Sequence, residues 1–451
     1  MTRFITADRD TAYLLPPSID ERLPQEHLAR FVVEVVEQLD LTELTQQYAG
    51  RGSKAHHPAV LLGLLIYGYA TGVFSSRKIE RATYDSVAFR FIAANTHPDH
   101  DTLATFRRRF LPQLEALFVQ VLLLAREMKL IKLGRIALDG TKIKANASKH
   151  KALSYAHAQK IEAQLKAEVE ALTAQAEAAD QTPVADGLDI PAEIALREER
   201  LAALAAAKAK IEQRAAERHQ VEQEAYQARM DRRAEQRKAG KKPRGKDPVP
   251  PSAGPSGKDQ VNLSDEQSRI MPVSGGGFEQ CYNAQAGVDT ETMLVISPYV
   301  TQATNDKQQV APLLTRLAAL PASLGVPNAL LADTGYFSAA NIMACANRNM
   351  TPWIATRRER HHLDVFERFA PDTPPPHTDD LVKRMAHRMT TQAGRAVYAL
   401  RKQTVEPVFG IIKHVMGFRQ FSLRGLDNVA GEWTLTTLAW NIKRMSVLRM
   451  A

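Results

Sequence analysis

Cysteine is nearly absent: two residues in 451, Cys281 and Cys345, far apart and with no Cys-x-x-Cys context. That excludes both a disulfide framework and a cysteine zinc site. Long hydrophobic runs are also missing. The longest apolar stretch, Val60 to Phe74, falls short of the roughly 20 residues that cross a bilayer, and Gly63, Gly68 and Gly72 interrupt it. It predicts a buried helix. The first 30 residues alternate charges with prolines and offer no apolar signal-peptide core. These absences predict a reduced, cytoplasmic protein with no membrane segment. Aromatic residues thin out over 155–260, which holds no Phe or Trp and only Tyr155 and Tyr226.

What is present is a basic excess in one place. The net charge is +9, with a pI near 9.4, which invites nucleic acid as a partner without naming one. The segment 155–260 carries 18 basic and 18 acidic residues. The last 71 residues, from Leu381, hold 12 basic and 3 acidic residues. Their local +9 equals the charge of the whole chain.

Residues 1–128 read mostly as helix. Apolar spacing predicts helices over His27–Leu41, from Pro58 onward, and over Ser76–Phe91. Pro98 stops the pattern, and Asp101 is expected to cap a following helix, TLATFRRRFLPQLEALFVQVLLLAREM. A short helix, turn and helix with Arg107, Arg108 and Arg109 on the second can dock on DNA. LGRIALDGTKIKANA predicts a strand, a turn and a second short strand. The charged segment 155–260 predicts two antiparallel helices and a basic, Pro/Gly-rich linker, PVPPSAGPSGK. From Gln260 strands alternate with helices, as in an α/β domain. CYNAQAGVD and MLVISPYVT form adjacent strands, and NALLADTGYFS a buried strand ending in an acid.

Three carboxylates stand out. Asp139 follows the apolar run IAL, Asp333 follows LLA, and Glu406 is the only acid between Asp380 and Asp427. Acids at strand ends are where α/β sheets place their sites. Three carboxylates together suit Mg²⁺ or Mn²⁺. Two such ions about 4 Å apart serve phosphodiester chemistry, and a basic surround would hold the phosphate backbone.

These residues resemble bacterial insertion-sequence transposases of the DDE class. LDGTKIKANASKHK is similar to that family's first-aspartate strand and LLADTGYFS to its second-aspartate motif. YALRKQTVEPVFGIIKH resembles the third-acid motif Tyr-x2-Arg-x3-Glu-x6-Lys of one large group. Tyr398 and Arg401 are spaced as in the motif, and so are Glu406 and Lys413. Arg401 lies one residue too far from Glu406, whereas Lys402 fits. FEQCYNAQAGVD, NDKQQVAPLL, HPDHDTLATFRRRF and EWTLTTLAWNIKRM extend the likeness over nearly the whole chain except 155–260.

The resemblance implies an α/β RNase H-like catalytic domain, a mixed sheet with flanking helices, formed by 129–154 and 261–451. A helical DNA-binding domain, 1–128, precedes it, and a helical-hairpin insertion, 155–260, interrupts it. It implies that Asp139, Asp333 and Glu406 are the catalytic acids and hold two Mg²⁺ ions, with Mn²⁺ able to substitute. Tyr398, Arg401, Lys402, Lys413 and Arg107 to Arg109 would contact DNA. The expected partners are double-stranded terminal inverted repeats and target DNA, bound by a homodimer near the nucleoid. The alternatives are an RNase H-like nuclease that cuts without joining and a domesticated, non-catalytic DNA-binding protein. HPDHD, His56-His57 and His361-His362 read as turn and loop residues, and Gly275 to Gly277 lack the Lys-Ser/Thr of a phosphate loop.

Overall fold

The computed structural model describes residues 18–48, 55–179, 189–240, 242–243, 245–273, 275–357 and 371–450. The pair His361-His362 lies outside them, as does the expected turn between the two helices of 155–260. The chain divides into two compact units, Met1–Lys144 with Tyr282–Ala451, and Ala145–Cys281.

In the first unit the N-terminal helices and a mixed sheet share one core. His27 caps the helix Leu28–Glu37 by accepting a hydrogen bond from the Ala29 amide through Nδ1. Pro58 opens the helix Pro58–Thr71, which is buried on nearly all sides, as its apolar run predicts. Gly68 is required where it stands, since a Cβ there would come 2.7 Å from the Val73 carbonyl oxygen. No single helix among the described residues is long and apolar enough to cross a membrane.

Two helices expected to be continuous are broken. Ser76–Phe91 divides at Ser86 into Ser76–Asp85 and Val87–Ile92. The next helix ends at Arg109, and a new one runs over Leu114–Glu127. Pro112 accounts for this second break: it has no N–H to donate and its ring disfavours helical backbone at the residue before it. The cap of His100–Arg109 is Asp99, which accepts from the Thr102 amide at 2.7 Å. Asp101 lies in the first turn instead. The histidines of HPDHD are occupied structurally. His97 stacks on Tyr84 at 3.8 Å, and His100 Nδ1 pairs with Glu80 at 2.8 Å.

The sheet of this unit comprises β1 (Arg135–Lys144), β5 (Phe278–Asp289, which begins in the other unit), β6 (Val295–Thr301), β7 (Ala329–Ala332) and β8 (Thr351–Ile354). Strand β6 pairs antiparallel with β5, which lies beside β1. Strands β1 and β7 are parallel, as are β7 and β8. The helix Leu426–Arg449 packs on β6 and on the helices Pro58–Thr71 and Leu114–Glu127. Its Glu432 is fully buried and accepts from Tyr69 Oη and from the Ser422 and Leu423 amides.

The second unit holds β2 (Ala152–Ser154), antiparallel to β3 (Gln260–Asn262), and β4 (Arg269–Pro272), antiparallel to the start of β5. The glycines Gly275 to Gly277, all with φ near +90°, lie in the β4–β5 turn. They form the turn of a β-hairpin. The helices Tyr155–Ala179 and Ile190–Lys238 pack together, with Leu153, Ala158, Leu204, Ile211 and Val261 as a small core.

Candidate active site

Asp139 is not at a strand end. Strand β1 continues through it to Lys144, so the sequence reading of a turn at Asp139-Gly140 is corrected. Gly140 is needed for space. A Cβ there would lie 2.0 Å from Gln285 Nε2, 2.7 Å from Asp306 Oδ1 and 2.9 Å from Asn283 Oδ1. The missing side chain lets β1 press against a polar cluster on β5.

Asp333 does stand where expected, directly after β7. Its carboxylate accepts from the Gly335 amide at 2.8 Å and caps a single 3₁₀ turn, Thr334–Tyr336. Because β1 and β7 are adjacent and parallel, the two aspartates come to the same region. Burial pushes the Asp139 carboxyl up to about 6, opposed by the Arg401 guanidinium and assisted by the negative charges of Asp333 and Asp306.

Glu406 arrives on the helix Gln392–Gly410, which packs against β1. The helix carries Pro407 in its interior and widens into a π turn over Ile411–Val415. Such turns change the aim of later side chains. Here Lys413 donates to Thr141 Oγ1 and to the Lys142 carbonyl on β1. Near the other end of the contact Arg401 donates from Nη1 to Asp139 Oδ2 at 2.9 Å and from Nη2 to Glu406 Oε1 at 2.8 Å. The side chains of Arg401, Asp139 and Glu406 are 9%, 19% and 47% exposed. The choice the sequence left between Arg401 and Lys402 is thereby made for the acid cluster: Arg401 faces it, and Lys402 is exposed.

The remaining candidates divide by direction. Tyr398 is buried. Arg107 turns inward, donating to Tyr69 Oη and the Phe74 carbonyl. Arg109 donates to Gln47 and lies over the Tyr48 ring. Arg108 is exposed.

Asp306, Asn283, Gln285 and Tyr336 also belong to the cluster. Asp306 accepts from Asn283 Nδ2 at 2.7 Å and Gln285 Nε2 at 2.6 Å, with Lys142 Nζ at 3.5 Å. The buried Tyr336 hydroxyl donates to Gln285 Oε1 at 2.6 Å. A legible signal existed for these: β5 is buried nearly throughout, yet carries Asn283 and Gln285, and buried amides require partners.

The donor chemistry fits a hard divalent cation. Four carboxylates gather around β1, and Asp139 is raised partly by its acidic neighbours. Arg401, however, bridges two of the acids, and among the described residues no three acid, His or Cys side chains stand together as a ready ligand set.

No curated protein and no solved structure matches the chain. Two family models do. Residues 17–109, which include the helix bearing Arg107 to Arg109, match a transposase domain (DUF772). Residues 373–446, which include Arg401, Glu406 and Lys413, match a transposase DDE domain. With one transposase domain matched toward each end of the chain and an acid cluster where the second meets β1, the matches support an insertion-sequence DDE transposase.

Proposed function

We propose that this transposase cleaves and joins DNA strands at insertion-sequence ends, with Asp139, Asp333 and Glu406 as its catalytic acids. The observation that carries the proposal is the Arg401 link, which ties Glu406 to an aspartate on a distant stretch of chain. The mixed sheet with flanking helices supports an RNase H-like catalytic domain. Within that reading, 1–128 forms a DNA-binding domain, 129–154 and 261–451 the catalytic domain, and 155–260 an insertion. The chain acts as a cytoplasmic homodimer on terminal repeats and target DNA.

DDE transposases normally use divalent metal ions. Two Mg²⁺ or Mn²⁺ ions, held by the oxygens of Asp139, Asp333 and Glu406, would supply Lewis-acid activation of the attacking oxygen and stabilise the leaving one. The chain's own residues orient and neutralise. Asp139 and Asp333 present oxygens from adjacent parallel strands. Lys413, anchored on β1 two to three residues past Asp139, supplies a fixed positive charge for a phosphate. Arg108 and Lys402, both exposed, serve as backbone contacts. No protein nucleophile is required, because water and a DNA 3′-hydroxyl provide the attacking oxygens.

Labelled element ends incubated with protein and Mg²⁺ test this. The Glu406→Gln variant should lose cleavage while retaining end binding in a mobility-shift assay. Undiminished cleavage would refute the assignment of Glu406. Absence of a joined product with the wild type would favour the nuclease reading.

A further inference from the structure

Arg401 lies between Asp139 and Glu406. It gives one N–H to each carboxylate, at 2.9 and 2.8 Å, and neither contact is a two-pronged fork. Its Nε is buried and has no hydrogen-bond partner among the described residues. The guanidinium is therefore bound by charge but incompletely satisfied, a weaker arrangement than bidentate pairing.

The helix does not depend on this contact for its position. Val405 and Val408 are fully buried, and Lys413 ties its continuation to Thr141 and Lys142. Release of Arg401 from Asp139 therefore need not move the helix off β1. A dication and a guanidinium cannot share so small a space, because their repulsion in a partly buried site is severe.

We infer that Arg401 is a built-in counter-ion of the metal-free acid cluster, which must leave Asp139 before a divalent ion binds there and which thereby lowers the protein's metal affinity. The inference rests on the reading of these acids as metal ligands. Arg401 acts as a positioning residue: it holds Asp139 and Glu406 together without metal and yields them to it. The apparent affinity is then the intrinsic affinity reduced by the fraction of molecules with the latch open.

The test is Mn²⁺ binding to the full-length, DNA-free protein, measured by calorimetry and electron paramagnetic resonance, with circular dichroism to establish folding. Arg401→Gln should bind Mn²⁺ about tenfold more tightly or better and show a larger Mn²⁺-induced rise in Tm. Arg401→Lys should show a smaller gain, since one ammonium does not bridge two carboxylates as a planar fork does. It decides the matter if the Gln variant does not fold. Equal or weaker Mn²⁺ binding by a folded variant overturns the inference alone. No Mn²⁺ binding by wild type or variants overturns the metal reading and the inference with it.

Discussion

Gly140 and Gln285 are packed so closely that a Cβ on the glycine would fall 2.0 Å from the amide nitrogen of the glutamine. That amide is not free to move aside, since it donates to both Asn283 and Asp306. Strand β1 is thus fitted to β5 by the absence of a side chain. Gly140→Ala should lower stability by about 1–3 kcal/mol, the range for overpacking a filled site, and should displace Asp139. Urea denaturation checks the first effect and end cleavage the second. A variant as stable and active as wild type would show that Gln285 gives way at no cost.

Asp139 makes stability depend on pH in a defined direction. Its folded carboxyl lies at about 6, above the ordinary value of 3.8, chiefly through burial. A raised acid favours the fold while protonated, so its contribution is complete below about 4 and is lost as pH rises toward 6. Asp139→Asn removes this titration. In EDTA, the stability of the variant relative to wild type should therefore grow by roughly 2 kcal/mol between pH 4.5 and 7.5. Parallel pH profiles for the two proteins would contradict it.

Glu432 is the acid that joins the C-terminal helix to the N-terminal ones. It is fully buried, and Tyr69 together with two backbone amides donates to it. Glu432→Ala leaves those donors without an acceptor and should cost about 3 kcal/mol or more. Glu432→Gln keeps one acceptor oxygen and should cost less. Chemical denaturation of the pair gives the order directly, and equal losses would mean that only packing matters.

Lys413 offers a test on DNA. If it contacts one phosphate, Lys413→Ala should weaken binding uniformly across sequences and reduce the slope of log affinity against log salt by about 1. Because Lys413 also donates to Thr141 and Lys142, Thr141→Val serves as the control that perturbs this anchor without removing the charge. An unchanged salt slope in Lys413→Ala would assign the lysine to holding β1 only.

Much of this molecule was legible along the chain. The apolar run after Pro58 had to be buried, the alternating texture after Gln260 had to form a sheet with helices, and LLAD had to bring an acid to the end of a buried strand. Those are local properties, set by hydrophobic periodicity and by proline and glycine chemistry. Helix breaks were harder to read, because Ser86 and Pro112 interrupt an apolar spacing that continues across them. Strand β1 runs straight through Asp139-Gly140, although Asp-Gly is a turn signal wherever nothing packs against it. Here Asn283, Gln285 and Asp306 do.

The scarcity of cysteine and of long apolar runs, and the basic charge gathered around Glu406, were settled by the sequence itself, since composition is independent of folding. The partners of each charge were not. Only the tertiary structure directs Arg401 to Asp139 and Glu406, turns Arg107 inward to Tyr69, and adds Asp306 to the acids around β1. The reason is physical: hydrophobic spacing records which face of an element is buried, whereas a long side chain's partner depends on which distant strand that burial brings within about 3 Å of its donors.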